Sequence, residues 1–161
     1  MQLSTTAQEV RLTAPQMREL LDRHMRLELE ADVDGLMDTL GENVVWGRDD
    51  DANKLVGRKA IHTHYSGILA PGRHDAKHIR GWYDEEQQSS ATEYEVTVNF
   101  DDGTSVTFPV LALVEFDNGR MRNEVLYFYE GRTPTQVMPA GYLQEQGAAF
   151  VEAKALSEEP S

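Results

Sequence analysis

At 161 residues the chain matches one domain, long enough to bury a core without covalent staples. It has no cysteine, which excludes disulfides, a thiol nucleophile and thiolate metal sites. A net charge of −13 sets the surface against phosphate backbones and excludes nucleic acid as a natural partner. No apolar run approaches the ~20 residues needed to span a bilayer, so no membrane partner is expected. The opening MQLSTTAQEV lacks the basic lead and apolar core of a secretory signal, and the expectation is a cytoplasmic protein. Residues 1–12 read as a flexible N-terminus, 13–156 as a single domain and 157–161 as a tail.

Thr13-Ala14-Pro15 starts a first helix, with Met17, Leu20, Leu21, His24 and either Leu27 or Glu28 on its inner stripe. Asp32 and Asp34 offer caps for a short second helix over 33–40, which Gly41-Glu42-Asn43 ends. Val44-Val45-Trp46 is β-branched and aromatic, hence a strand. Asp49-Asp50-Asp51-Ala52-Asn53 reads as a solvated loop; it lacks the ligand spacing and terminal glutamate of a calcium loop. Gly57 opens a third helix over 58–69, with Ile61, Tyr65 and Ile68 on one stripe, and Pro71-Gly72 breaks it.

Beyond that point the pattern is sheet. One strand lies near 77–83. A hairpin over 91–116 turns at Asp101-Asp102-Gly103. Pairing Phe100 with Thr104 puts Tyr94, Val96, Val98, Val106, Phe108, Val110 and Ala112 on one face, with Glu93, Glu95, Thr97, Thr107, Leu111 and Leu113 on the other. A last strand spans 120–129, a loop 131–139, and a C-terminal helix 140–156 with apolar Tyr142, Leu143, Ala148, Phe150 and Val151.

The stretch LEADVDGLMDTLGENVVWGRDDDANKLVGRKAIHTHY, together with Trp82-Tyr83-Asp84, Asp101-Asp102-Gly103 and Phe116-Asp117-Asn118-Gly119-Arg120-Met121, resembles the SnoaL-like branch of the nuclear-transport-factor-2-like superfamily. The resemblance covers roughly residues 14–130. It implies an α+β fold: a cone-shaped, curved antiparallel sheet wrapped around three N-terminal helices, plus a C-terminal helix. The mouth of such a cone is an apolar pocket. The fold hosts isomerases, cyclases, hydrolases and binding domains, so it does not by itself name a reaction.

Ketosteroid isomerase shares this fold, and its pattern aligns without gaps from the first helix to Gly57. Where it carries an oxyanion tyrosine, a carboxylate base and a protonated aspartate, this chain has His24, Arg48 and Ala112. That mechanism is therefore not transferable, since an arginine does not act as a base. Alternation on the last strand instead sends Glu124, Leu126 and Phe128 inward. Glu124 is the expected general acid or base and His24 its partner, the two catalytic candidates. Trp46, Arg48, Tyr65, Tyr94, Phe108, Ala112, Leu126 and Phe128 are the expected ligand-binding residues. No second inward carboxylate is evident.

His62 and His64 fall on opposite sides of their helix and do not chelate together. With His74 and His78 they form no recognisable ligand set, and the reading is no metal and no cofactor. The enzymatic reading is a cofactor-independent isomerase, cyclase or lyase acting on an oxygenated hydrophobic substrate of polyketide, terpenoid or steroid-like type. The alternative is a non-catalytic ligand-binding or assembly domain. Epoxide hydrolysis needs an Asp-Arg-Asp set around a water, and two inward aspartates are not found. The expected partners are a small hydrophobic molecule and a second copy of the chain. The homodimer would pair through Leu111, Leu113, Val125 and Tyr127 on the outer sheet face.

Overall fold

The computed structural model describes residues 9–48, 50–129 and 138–158, with the side chains of 48 and 50–53 outside that description. The chain forms α1 (Ala14–Leu29), α2 (Val33–Met37), β1 (Leu40–Arg48), β2 (Asp50–Val56) and α3 (Arg58–Ile68). It continues through β3 (His74–Asp84), β4 (Ser89–Asn99), β5 (Ser105–Asp117), β6 (Arg120–Phe128) and α4 (Ala140–Ser157). The fold is α+β, a six-stranded sheet in the order β2-β1-β6-β5-β4-β3 with helices from both ends of the chain.

Local chemistry sets the boundaries. Thr13 and Gln16 form a reciprocal cap on α1, with the Thr13 N–H donating to Gln16 Oε1 at 2.9 Å. Such a cap stabilises a helix by about 1 kcal/mol. Asp32 caps α2 by accepting from the Gly35 N–H at 3.0 Å. Gly57 precedes α3 with φ of +88°, a backbone state that glycine adopts without strain. The Arg58 side chain then reaches back to the Leu40 carbonyl, tying the start of α3 to β1.

The β4–β5 register is the expected one: Tyr94 pairs with Val110, Val96 with Phe108 and Thr92 with Ala112. β6 continues it, placing Leu126 beside Ala112 and Glu124 beside Val114. The inward faces of β4 and β5 alternate with exposed positions, and the helices cover them. Two apolar clusters result. One gathers Met17, Leu36, Leu55, Ile61 and Met121 under the N-terminal helices. The other gathers Val98, Phe108, Val110 and Met138. Leu126 packs against both, so the space between them opens beside it.

Three expectations are corrected. Residues 50–56 form strand β2 paired with β1, not a solvated loop, because Leu55 is fully buried and anchors the pairing against local charge. α2 ends at Met37, and the following residues turn into β1 by Leu40. The sheet contains one parallel pair, β1 with β6, among antiparallel neighbours. On α4 the buried residues are Gln146, Ala149 and Ala153, whereas Val151 is 70% exposed and Ala148 is exposed too. α4 lies so close to α3 that a Cβ on Gly67 would sit 2.6 Å from Ala149 Cβ. Small side chains on both helices make that approach possible. The expected loop over 131–139 lies outside the described residues up to 137.

Candidate functional site

The cone encloses a cavity of about 140 Å³. α1 contributes Leu21, His24 and Glu28 to its wall, α3 contributes His64 and Tyr65, and α4 contributes Tyr142, Leu143 and Gln146. The inward sheet residues complete it. Trp46, Tyr94, Phe108, Ala112, Leu126 and Phe128 all line this one space. The backbone of Arg48 pairs with Leu126, but its side chain lies outside the described residues.

Glu124 and His24 face the same cavity, and between them comes a residue the sequence reading left undecided. Glu28 lines the cavity too, which corrects the expectation of a single inward carboxylate. Its Oε2 lies 4.0 Å from His24 Nε2, one helical turn away. It is also near enough to Glu124 for its charge to raise that group's pKa. Glu28 and Glu124 are half-buried and line the cavity. The signal that marks Glu28 is the i, i+4 spacing from a histidine on a buried stripe. It is easily passed over, because a glutamate near a helix end is usually solvated.

The electrostatics follow from burying charge in apolar surroundings. Burial, and then the Glu28 charge, push Glu124 up to about 8. Burial pushes Glu28 up to about 7. Burial lowers His24 to about 4, so its imidazole is neutral at physiological pH. The Tyr65 and Tyr94 hydroxyls are held above their ordinary value, first by burial and then by nearby carboxylates, Glu28 and Glu124 for Tyr65 and chiefly Glu124 for Tyr94. Both therefore stay protonated and can donate hydrogen bonds.

His24 Nδ1 meets Thr39 Oγ1 at 2.7 Å, and Thr39 Oγ1 lies 2.6 Å from the Leu36 carbonyl oxygen. His24 Nε2 is buried and has no hydrogen-bond partner among the described residues. The other histidines play different parts. His62 is paired with Asp34 at 2.9 Å, while His64 is buried with its ring 4.8 Å from Trp46, so the two point apart. His74 Nε2 meets Tyr142 Oη at 3.0 Å, and both residues line the cavity. Among the described residues no three His, Asp or Glu side chains are grouped to hold a metal ion. No helix among them is long and apolar enough to cross a membrane.

A family model described as a SnoaL-like domain matches residues 21–124. No curated protein sequence matches the chain. Among solved structures, an LEH-like epoxide hydrolase from M. tuberculosis is 19% identical with a TM-score of 0.64, covering 86% of this chain and 97% of that one. A proposed isomerase from Bacillus subtilis is 15% identical with a TM-score of 0.63, covering 76% and 92%. A protein of unknown function with a cystatin-like fold from Methylobium petroleophilum PM1 is 15% identical with a TM-score of 0.63, covering 77% and 82%. At these identities the likeness is one of fold.

Proposed function

The chain belongs to the SnoaL-like domain family, and from that premise we propose that it is an isomerase- or cyclase-like enzyme working by acid–base catalysis on a small oxygenated hydrophobic substrate. The observation that carries this reading is the Glu28–Glu124 pair in one apolar cavity. With values of about 7 and 8, the pair holds close to one proton between its two carboxyls near neutral pH. One member is then an acid and the other a base at the same moment.

The chemistry balances without a co-reactant. The ionised carboxylate takes a proton from carbon next to a carbonyl, while the protonated carboxyl gives its proton to the oxygen. The enol then returns its O–H proton to the second carboxylate and receives the first proton at a new carbon. The net result is an isomer. Tyr65 and Tyr94, held neutral, are the hydrogen-bond donors for the oxygen that gains negative charge. Trp46, Phe108, Leu126 and Phe128 supply the apolar wall.

The cavity volume bears on substrate size. A space of about 140 Å³ is close to an engineered cavity of about 150 Å³ that admits benzene. It fits a single ring with a small substituent, the terpenoid end of the expected range. A steroid or polyketide would require the cavity to widen. Epoxide opening is the second reading, favoured by the inward Glu28. One carboxylate would activate water and the other carboxyl would protonate the departing epoxide oxygen, giving a diol. The neighbouring epoxide hydrolase lends this reading a fold, not a substrate.

The test is turnover with small cyclic enones in D₂O and with cyclic epoxides in ¹⁸O-water. Deuterium at carbon supports isomerisation, and ¹⁸O in a diol supports epoxide opening. Glu28→Gln and Glu124→Gln are each expected to keep the fold and lose about 10²–10⁴-fold in rate. Full turnover by either variant would defeat the acid–base reading. Saturable ligand binding without turnover would leave the non-catalytic binding domain.

For assembly we propose a homodimer through the outer sheet face. Register lines Trp82, Ala91, Leu113 and Val125 in one row across β3, β4, β5 and β6, with Leu111 beside Tyr127 in the next. Trp82 is 56% exposed, Tyr127 40% and Leu113 39%, which makes a contiguous apolar patch rather than scattered residues. Sedimentation is expected to give a dimer at micromolar concentration and a monomer for Leu113→Lys. A wild-type monomer would overturn this.

A further inference from the structure

Thr39 has one hydroxyl hydrogen and two polar neighbours, and that count decides the state of His24. The contact between Thr39 Oγ1 and the Leu36 carbonyl oxygen is 2.6 Å. Two oxygens approach that closely only with a hydrogen between them, and a carbonyl carries none. Thr39 therefore donates to Leu36. At its 2.7 Å contact with His24 Nδ1 it has only lone pairs left, so His24 Nδ1–H is the donor. The neutral ring then carries no hydrogen on Nε2. That bare nitrogen is buried, lacks a hydrogen-bond partner and lies 4.0 Å from Glu28 Oε2.

Resting on the acid–base reading above, we infer that Thr39 and His24 form a positioning relay that holds the shared proton on Glu28 and leaves Glu124 as the base. A neutral Glu28 can turn its O–H onto the Nε2 lone pair and close the 4.0 Å gap to hydrogen-bond length. An ionised Glu28 presents lone pairs to a lone pair. The relay therefore favours the neutral acid at Glu28. Among the described residues no hydrogen bond reaches the Glu124 carboxyl. Burial, with the Glu28 charge added at Glu124, leaves Glu124 about one unit above Glu28, and a directional hydrogen bond at Glu28 is enough to reverse that order.

The other groups facing His24 do not undo this. Tyr65 on α3 has its ring 6.5 Å away and stays neutral, as does Tyr94 on β4. His64 on α3 and Glu124 on β6 line the same cavity. Thr39 itself is fully buried, with its backbone carbonyl accepting from the Met121 N–H at 3.0 Å, so the relay is anchored to β6 as well as to α2. Two helices thus meet at the Thr39 hydroxyl, while the strand holds its backbone carbonyl.

The experiment reads proton position directly and needs no substrate. In ¹⁵N-histidine protein, two-bond ¹H–¹⁵N spectra are expected to show His24 with hydrogen on Nδ1 and a bare Nε2. In ¹³C-glutamate protein, Glu28 is expected to titrate at higher pH than Glu124. Thr39→Val removes the acceptor with little change of shape. The ring is then free to place its hydrogen on Nε2, where it favours ionised Glu28. The Glu28 midpoint should fall by about one unit and the Glu124 midpoint should rise, while Thr39→Ser restores the wild-type order.

A wild-type Nε2–H tautomer would overturn the relay, as would the same order of midpoints in wild type and Thr39→Val. If Thr39→Val does not fold, the wild-type tautomer and the Thr39→Ser titration decide. If the tautomer and titrations agree with the relay but no substrate turns over, the relay stands and the enzymatic reading fails.

Discussion

One helical turn separates His24 from Glu28, and that spacing sets a carboxyl 4.0 Å from a buried imidazole nitrogen. Two carboxylates in an apolar space do not both ionise cheaply, so their titrations are coupled and each midpoint belongs to the pair. Activity should then follow a narrow bell in pH. The acidic limb marks loss of the first proton from the pair and the alkaline limb loss of the second, with the maximum between about 7 and 8. Measuring kcat/KM against pH checks this. A profile flat from pH 5 to 9 would show that the pair does not carry the proton transfers.

At the scale of elements, β2 shows how a single residue can outweigh its neighbours. Leu55 is fully buried while the segment around it is acidic and polar. Leu55→Ala is expected to destabilise the protein by about 2–4 kcal/mol in urea unfolding, against less than about 0.5 kcal/mol for Val151→Ala on α4. Sequence alternation was enough for β4 and β5, where buried residues recur at every second position, and the β6 register follows from its hairpin with β5. It failed for β2, where pairing partners rather than local propensity set the state. It failed again on α4, where Ala149 and Ala153 are buried because Gly67 lets two backbones approach, a fact about α3 that the α4 pattern does not contain. The cavity walls were legible for the same reason as the strands. Glu28 was not, since only the tilt of α1 decides whether Leu27 or Glu28 meets the sheet, and both end up on the inner side.

For the molecule as a whole, the buried ionisable groups set opposing pH limits. Glu28 and Glu124 have folded values raised above the ordinary 4.5, so their contribution is complete below 4.5 and is lost as pH rises through about 7 and 8. His24 and His74 are lowered from 6.5 to about 4, so theirs is complete above 6.5 and is lost as pH falls toward 4. Stability should therefore peak near pH 5–6, between those windows. At pH 8, Glu124→Gln should raise Tm by about 4–8 °C, as expected for ~2 kcal/mol in a domain of this size, and leave Tm nearly unchanged at pH 5. Thermal melts across pH check both statements. The parallel pairing of Trp46 with Glu124 has a different consequence, for biosynthesis. No hairpin joins those strands, so the pairing is a long-range closure that local folding does not anticipate. During translation β1 emerges long before β6, with an open strand edge and an unfilled apolar face. The nascent chain stays prone to mispairing until Phe128 has cleared the ribosome, and the cavity gains its last wall only when α4 follows.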